Sequence, residues 1–161
     1  MQTQRIQSLA EAIIGKAAAR GVMITSAESC TGGMIAAALT DVSGSSAVLD
    51  RSFVTYSNEA KNEMLGVPMD LIERHGAVSQ PVARAMALGA LKNSRAALAV
   101  SVTGIAGPGG GSLEKPVGLV WFGLAGGKSK TERRVFAKGS RDFIRTHATE
   151  TALRLLLTKL G

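Results

Sequence analysis

The sequence predicts an α/β fold, a three-layer α/β/α sandwich around a mixed sheet of about five strands, and three observations lead there. Short segments rich in β-branched or apolar residues alternate with stretches of helical periodicity. Helices precede, separate and follow those strands, which requires cover on both faces of the sheet. The last two strands meet across Gly126-Gly127, a turn suited to a hairpin, so part of the sheet is antiparallel.

Ile6, Leu9, Ala10, Ile13, Ile14 and Ala17 recur at helical spacing, and Gly21 follows Arg20 where a helix C-terminus favours positive φ. The run 22–25 reads as a buried strand that delivers the chain into Ser26-Ala27-Glu28-Ser29-Cys30-Thr31-Gly32-Gly33, and the small apolar residues 34–39 continue as helix. After a turn over 41–46, residues 47–56 suit a second strand, and Ser57-Asn58 cap the helical turn that holds Lys61. Pro68 and Gly76 bracket a short helix; Ser79, with Pro81 in the first turn, starts another that runs to Asn93. Residues 96–102 form a buried central strand. The stretch 103–116 holds five of the nineteen glycines and two of the four prolines, a density that marks a loop with its own task. Residues 117–125 and 129–137 make the hairpin, and Ser140 caps a final helix with Phe143, Ile144, Ala148, Thr151, Ala152, Leu155 and Leu156 on one face.

A chain of 161 residues, 45% of them hydrophobic, is read as a single domain over 1–161 with a sizeable core. Its longest apolar runs fall far short of the roughly 20 residues of a membrane span, so no membrane partner is expected. The N-terminus lacks the pattern of a secretory signal, and one cysteine cannot form an internal disulfide, which points to a reducing, cytoplasmic setting. Two histidines far apart give no metal-ligand spacing, so neither metal nor cofactor is expected. The net charge of +7 favours an anionic partner. Scattered basic residues and few aromatic side chains favour a phosphorylated small molecule over nucleic acid. The small residues Ala83, Ala85, Ala87, Gly89 and Ala90 allow close packing against a partner or the sheet, and a homodimer is expected.

Chemistry concentrates in the loops after the first and third strands, where ligands gather in open α/β sheets. The loop from Glu28 through Ser29, Cys30, Thr31, Gly32 and Gly33 enters a helix, whose free N–H groups suit either a nucleophile elbow or a phosphate cradle; Ser and Thr there are also ordinary caps. Tyr56 and Lys61 lie five residues apart, and a lysine serves as a base only if its pKa falls toward working pH. Thr103, Gly104, Gly107 and Gly110 belong to a loop that matches neither a Walker A nor a dinucleotide fingerprint but whose amides can form an anion nest. Arg141 and Arg145, one helical turn apart, suit one phosphate.

Together these segments resemble the C-terminal domain of the competence/damage-inducible CinA family. The resemblance rests on the motif 27–33, on Tyr56-Ser57-Asn58 with Lys61, on Gly76-Ala77-Val78-Ser79, on Thr103-Gly104-Ile105-Ala106-Gly107-Pro108 with Gly110-Gly111, and on Lys115-Pro116-Val117-Gly118, in family order along nearly the whole chain. It implies hydrolysis of nicotinamide mononucleotide to nicotinate mononucleotide and ammonia, with no metal. Position by position, it implies Ser29 as nucleophile, Lys61 as its base and Tyr56 as a hydroxyl that positions or relays the proton. Ser140 stands where family members often carry Asp. Two other readings stay open: an amidase for another pyridine or amide-bearing nucleotide, and a non-catalytic nucleotide-binding or nucleic-acid-associated protein.

Overall fold

Alternation along one strand explains how the layers assemble. The structure, a computed structural model, describes residues 2–137 and 139–161. Helix α1 (Gln2–Arg20) leads to strand β1 (Ile24–Glu28), then to α2 (Met34–Thr40) and strand β2 (Phe53–Val54). Helices α3 (Asn58–Leu65), α4 (Met69–His75) and α5 (Gln80–Lys92) come before β3 (Leu98–Gly104), and β4 (Leu119–Ala125), β5 (Lys130–Val135) and α6 (Arg141–Leu160) follow. In β3, Val100 and Val102 face a core shared with α1, α2 and α6, including Ile13, Ile35 and Ile144. Ala99 faces the opposite core, with Val82, Met86 and Ala87 of α5 and Leu65 of α3. Helices on both faces of one sheet make the expected three layers.

Among the described residues the sheet has five strands in the order β2-β1-β3-β4-β5. β1 lies parallel to β2 and β3, pairing Ala27 with Phe53 and Glu28 with Val102. β4 runs antiparallel to β3 and β5, which is the predicted hairpin. Both Gly126 and Gly127 adopt positive φ in its turn. Ser140 caps α6, accepting the Phe143 N–H at 3.1 Å. No described helix is long and apolar enough to cross a membrane.

Several expectations are corrected here. The second strand was expected over 47–56, but only Phe53 and Val54 form a strand; Leu49 makes an isolated bridge to Ile24, and Ser45–Ala47 forms a 3-10 turn. The polar Asp50-Arg51-Ser52 run interrupts the pairing with β1 at this sheet edge. The first strand reaches on to Glu28, because pairing with β3 continues that far. In α6 the buried face includes Thr149, Leu153 and Leu160, while Phe143 is exposed. The small residues of α5 are used inside the chain: a Cβ on Gly89 would run into Leu65 O, Ala83 O accepts from Ser101 Oγ at 2.5 Å, and Ala83, Ala87 and Ala90 are wholly buried. Most of that stripe packs α5 against the sheet and α3.

Candidate active site

Parallel strands β2, β1 and β3 end at one edge of the sheet, so the residues that follow them meet. Ser29 leaves β1 with its N–H donated to Val102 O at 3.0 Å, and the Thr55 N–H reaches back to Glu28 O at 2.8 Å. The side chain of Ser57 caps α3 by accepting the Ala60 N–H. This fixes the first turn of α3, from which Lys61 folds back over the strand ends. Its Nζ lies 2.9 Å from Ser29 Oγ, 2.8 Å from Thr55 O and 3.4 Å from Tyr56 O.

Lys61 is only 1% exposed, and no carboxylate pairs with it among the described residues. Burial penalises the ammonium and pushes its pKa down from 10.5 to about 8, against a smaller opposing effect from the Cys30 sulfur. A neutral amine has two N–H groups and one lone pair. Two N–H groups serve the two carbonyls, and the lone pair faces the serine hydroxyl. After it takes the serine proton, the three N–H groups of the ammonium meet the same three oxygens. The site therefore holds both protonation states without rearrangement.

Glu28, which opens the loop expected to hold a nucleophile or a phosphate, has its carboxylate wholly buried and turned to the loop backbone. One oxygen accepts Thr31 Oγ1 at 2.7 Å and the N–H groups of Gly33 and Ile35 at 3.2 and 3.0 Å; the other accepts the Ala36 N–H at 3.0 Å. Thr31 is buried with it, and the Gly32 N–H closes a turn onto Ser29 O. Thr31, Gly32 and Gly33 thus shape the loop. The protein's own carboxylate takes N–H groups at the start of α2 that a phosphate cradle would use.

Arg145 is likewise turned to the loop. Its Nε donates to Cys30 O at 2.9 Å and its Nη2 to Thr31 O at 3.4 Å, so it holds the loop by its carbonyls, while Arg141 lines the cavity. Gly32 has φ +59°, and a Cβ there would sit 3.2 Å from the Arg145 guanidinium, so glycine gives both the turn and the close approach.

A cavity of about 250 Å³ opens over this edge, lined by Ser29, Cys30, Tyr56, Lys61, Thr103, Gly104 and Arg141 from the expected set. The thiol of Cys30 is pushed up to about 11, chiefly by burial, which leaves it protonated and a poor nucleophile. Thr103 donates its hydroxyl to Ala77 O at 2.9 Å and ties β3 to the loop before α5. At the mouth, Arg141 donates to Gly107 O at 2.8 Å and to the Tyr56 hydroxyl at 3.0 Å. One further expectation changes as a result. Tyr56 meets Lys61 through its backbone carbonyl while its phenol faces Arg141, so it is not placed to relay the serine proton. Gly107 offers its carbonyl to Arg141, and Gly110 lies outside the lining.

The lining also includes Asn58, Ala77, Val78 and Ala106, which the sequence did not single out as site residues. Asn58 was read only as a cap beside Ser57; its spacing of three from Lys61, which puts both on one helix face, was the available signal. Thr55 enters by a backbone carbonyl, which no side-chain pattern discloses.

A family model described as the CinA C-terminal domain matches residues 6–160. The nicotinamide-nucleotide amidohydrolase PncC of Escherichia coli is 52% identical over 158 residues, 97% of this chain and 95% of that protein. A CinA-like protein of Anaeromyxobacter is 52% identical over 92% of this chain, which spans 36% of that longer protein. The crystal structure of the competence/damage inducible protein CihA from Agrobacterium tumefaciens superposes with a TM-score of 0.94 at 50% identity, covering 96% of this chain and 94% of that one.

Proposed function

Because the chain belongs to the CinA C-terminal domain family, we propose that it is a nicotinamide-nucleotide amidohydrolase, converting nicotinamide mononucleotide and water to nicotinate mononucleotide and ammonia. The observation that carries the chemistry is the contact between a buried, easily deprotonated Lys61 and Ser29 at 2.9 Å. Lys61 accepts the Ser29 proton as Oγ attacks the carboxamide carbon. The carbonyl electron pair moves onto oxygen and returns as the C–N bond breaks. The Lys61 ammonium, beside the departing nitrogen, returns the proton and ammonia leaves. Water, deprotonated by the same amine, then hydrolyses the nicotinoyl ester and restores Ser29. Every proton in this cycle passes through one nitrogen.

The cavity is smaller than the roughly 300–1,000 Å³ of most ligand clefts, which suits the pyridine carboxamide end alone. Ribose and phosphate then lie across the mouth, where Arg141 supplies the nearest cation of the lining. The cytoplasm is the proposed setting.

Ammonia release from nicotinamide mononucleotide by the purified protein tests this reading. Ser29→Ala is expected to lower kcat by roughly 10³-fold or more. Wild-type protein that turns over a different amide-bearing nucleotide and not this one would reassign the substrate; near-normal turnover by Ser29→Ala would remove the nucleophile. Arg141→Ala is expected to raise KM for the nucleotide more than for the riboside lacking phosphate, and equal losses on both would show that Arg141 does not read the phosphate.

A further inference from the structure

A tetrahedral intermediate at Ser29 carries a negative oxygen, and such sites need fixed donors aimed at it. The start of α2 does not supply them. Gly33, Ile35 and Ala36 give their N–H groups to Glu28, Gly32 to Ser29 O and Met34 to Thr31 O. Arg141 is engaged at the mouth by Gly107 O and the Tyr56 hydroxyl, and Lys61 holds the serine.

Among the described residues, two donors of the cavity lining, with others, meet no oxygen. The Cys30 amide immediately follows the nucleophile; among the described residues no oxygen accepts from it, and only its own thiol lies beside it. The other is the side-chain amide of Asn58, which lines the cavity with Ser29 and Lys61. Asn58 is the first residue of α3, three before Lys61, so both side chains project from one helix face. Ser57 does the capping, and the amide of Asn58, an exposed residue of the lining, has no side-chain partner among the described residues.

Resting on the amidohydrolase reading, we propose that Asn58 is a catalytic residue whose Nδ2–H, with the Cys30 N–H, forms the oxyanion hole. As the bond from Ser29 Oγ to the carboxamide carbon forms and the carbonyl pair moves onto oxygen, these two N–H groups donate to it without transferring a proton. When the pair returns and the C–N bond breaks, they release a neutral carbonyl. The charge is met by neutral dipoles, so the pH dependence stays with Lys61.

The test compares steady-state kinetics of wild type, Asn58→Leu and Asn58→Asp on nicotinamide mononucleotide, with thermal unfolding of each. Loss of the donor in Asn58→Leu is expected to cut kcat by about 10²- to 10³-fold with KM within about threefold and the acidic limb of the pH profile unmoved. Asn58→Asp keeps the shape, sets a carboxylate against the oxyanion and is expected to lose more. Unchanged melting of either variant separates this role from a structural one. A kcat for Asn58→Leu within about threefold of wild type, or a loss carried by KM, overturns the assignment. Inactive wild-type protein overturns the amidohydrolase reading and this inference with it; active wild type with a fully active Asn58→Leu overturns this inference alone.

Discussion

A lysine that shares a serine hydroxyl with two carbonyls must shed its proton before it can act, and burial of Lys61 brings that step to about pH 8. Since the neutral amine is the active form, kcat/KM is expected to rise with pH and level off above about 8. Lys61→Arg is expected to be almost inactive, because a guanidinium stays charged at any workable pH. A pH–rate series on both proteins checks this, and substantial arginine activity would leave the lysine a merely electrostatic role. Cys30 faces the opposite fate: the burial that frees the amine keeps the thiol protonated. Cys30→Ala is therefore expected to keep most of the rate, measured as ammonia release.

At the scale of an element, the nucleophile loop is held by two charged side chains that bond to its backbone. Glu28 collects N–H groups at the start of α2, and Arg145 draws on the carbonyls of Cys30 and Thr31. Glu28→Ala would leave several buried donors without an acceptor and is expected to cost about 3 kcal/mol or more of stability, since each such group costs about 1–3 kcal/mol. Urea unfolding measures the loss, and kcat should fall with it as the loop loses its shape. Glu28→Gln keeps acceptor capacity on one oxygen and should be milder in both readings. A Glu28→Ala protein of wild-type stability would show that the carboxylate does not anchor the loop.

For the whole molecule, Lys61 links catalysis to stability. Its pKa of about 8 in the fold lies below the ordinary 10.5, so between those values the unfolded chain holds a proton that the folded chain lacks. Stability then rises with pH through that window. The cost of burying the ammonium is present in full below about pH 8 and gone above about 10.5. Chemical unfolding of wild type and Lys61→Met at several pH values isolates this group from the other titrating side chains. Wild type is expected to gain on the variant as pH rises from about 8 to 10.5, and a constant difference would place the amine in water-like surroundings.

The sequence by itself determined the layered α/β architecture, the caps at Ser57 and Ser140, the hairpin, and the pairing of Ser29 with Lys61 through a family resemblance. Periodicity, β-branching and turn glycines act over a few residues, so they can be read along the chain. Partners and directions could not be read in that way. The same Gly-rich loop suits a nucleophile, a phosphate or a cap until β3 pins Ser29 through Val102 O and Glu28 takes the helix amides. Arg141 and Arg145 share a spacing that suits one anion, yet α6 packs so that one reaches Tyr56 at the mouth and the other the loop carbonyls. The small residues of α5 admit a partner chain or a sheet, and only the fold shows Gly89 against Leu65 and Ala83 against Ser101. In each case the local pattern names a residue's capacity, and only packing against other segments, up to 115 residues away in sequence, selects the group on which it is used.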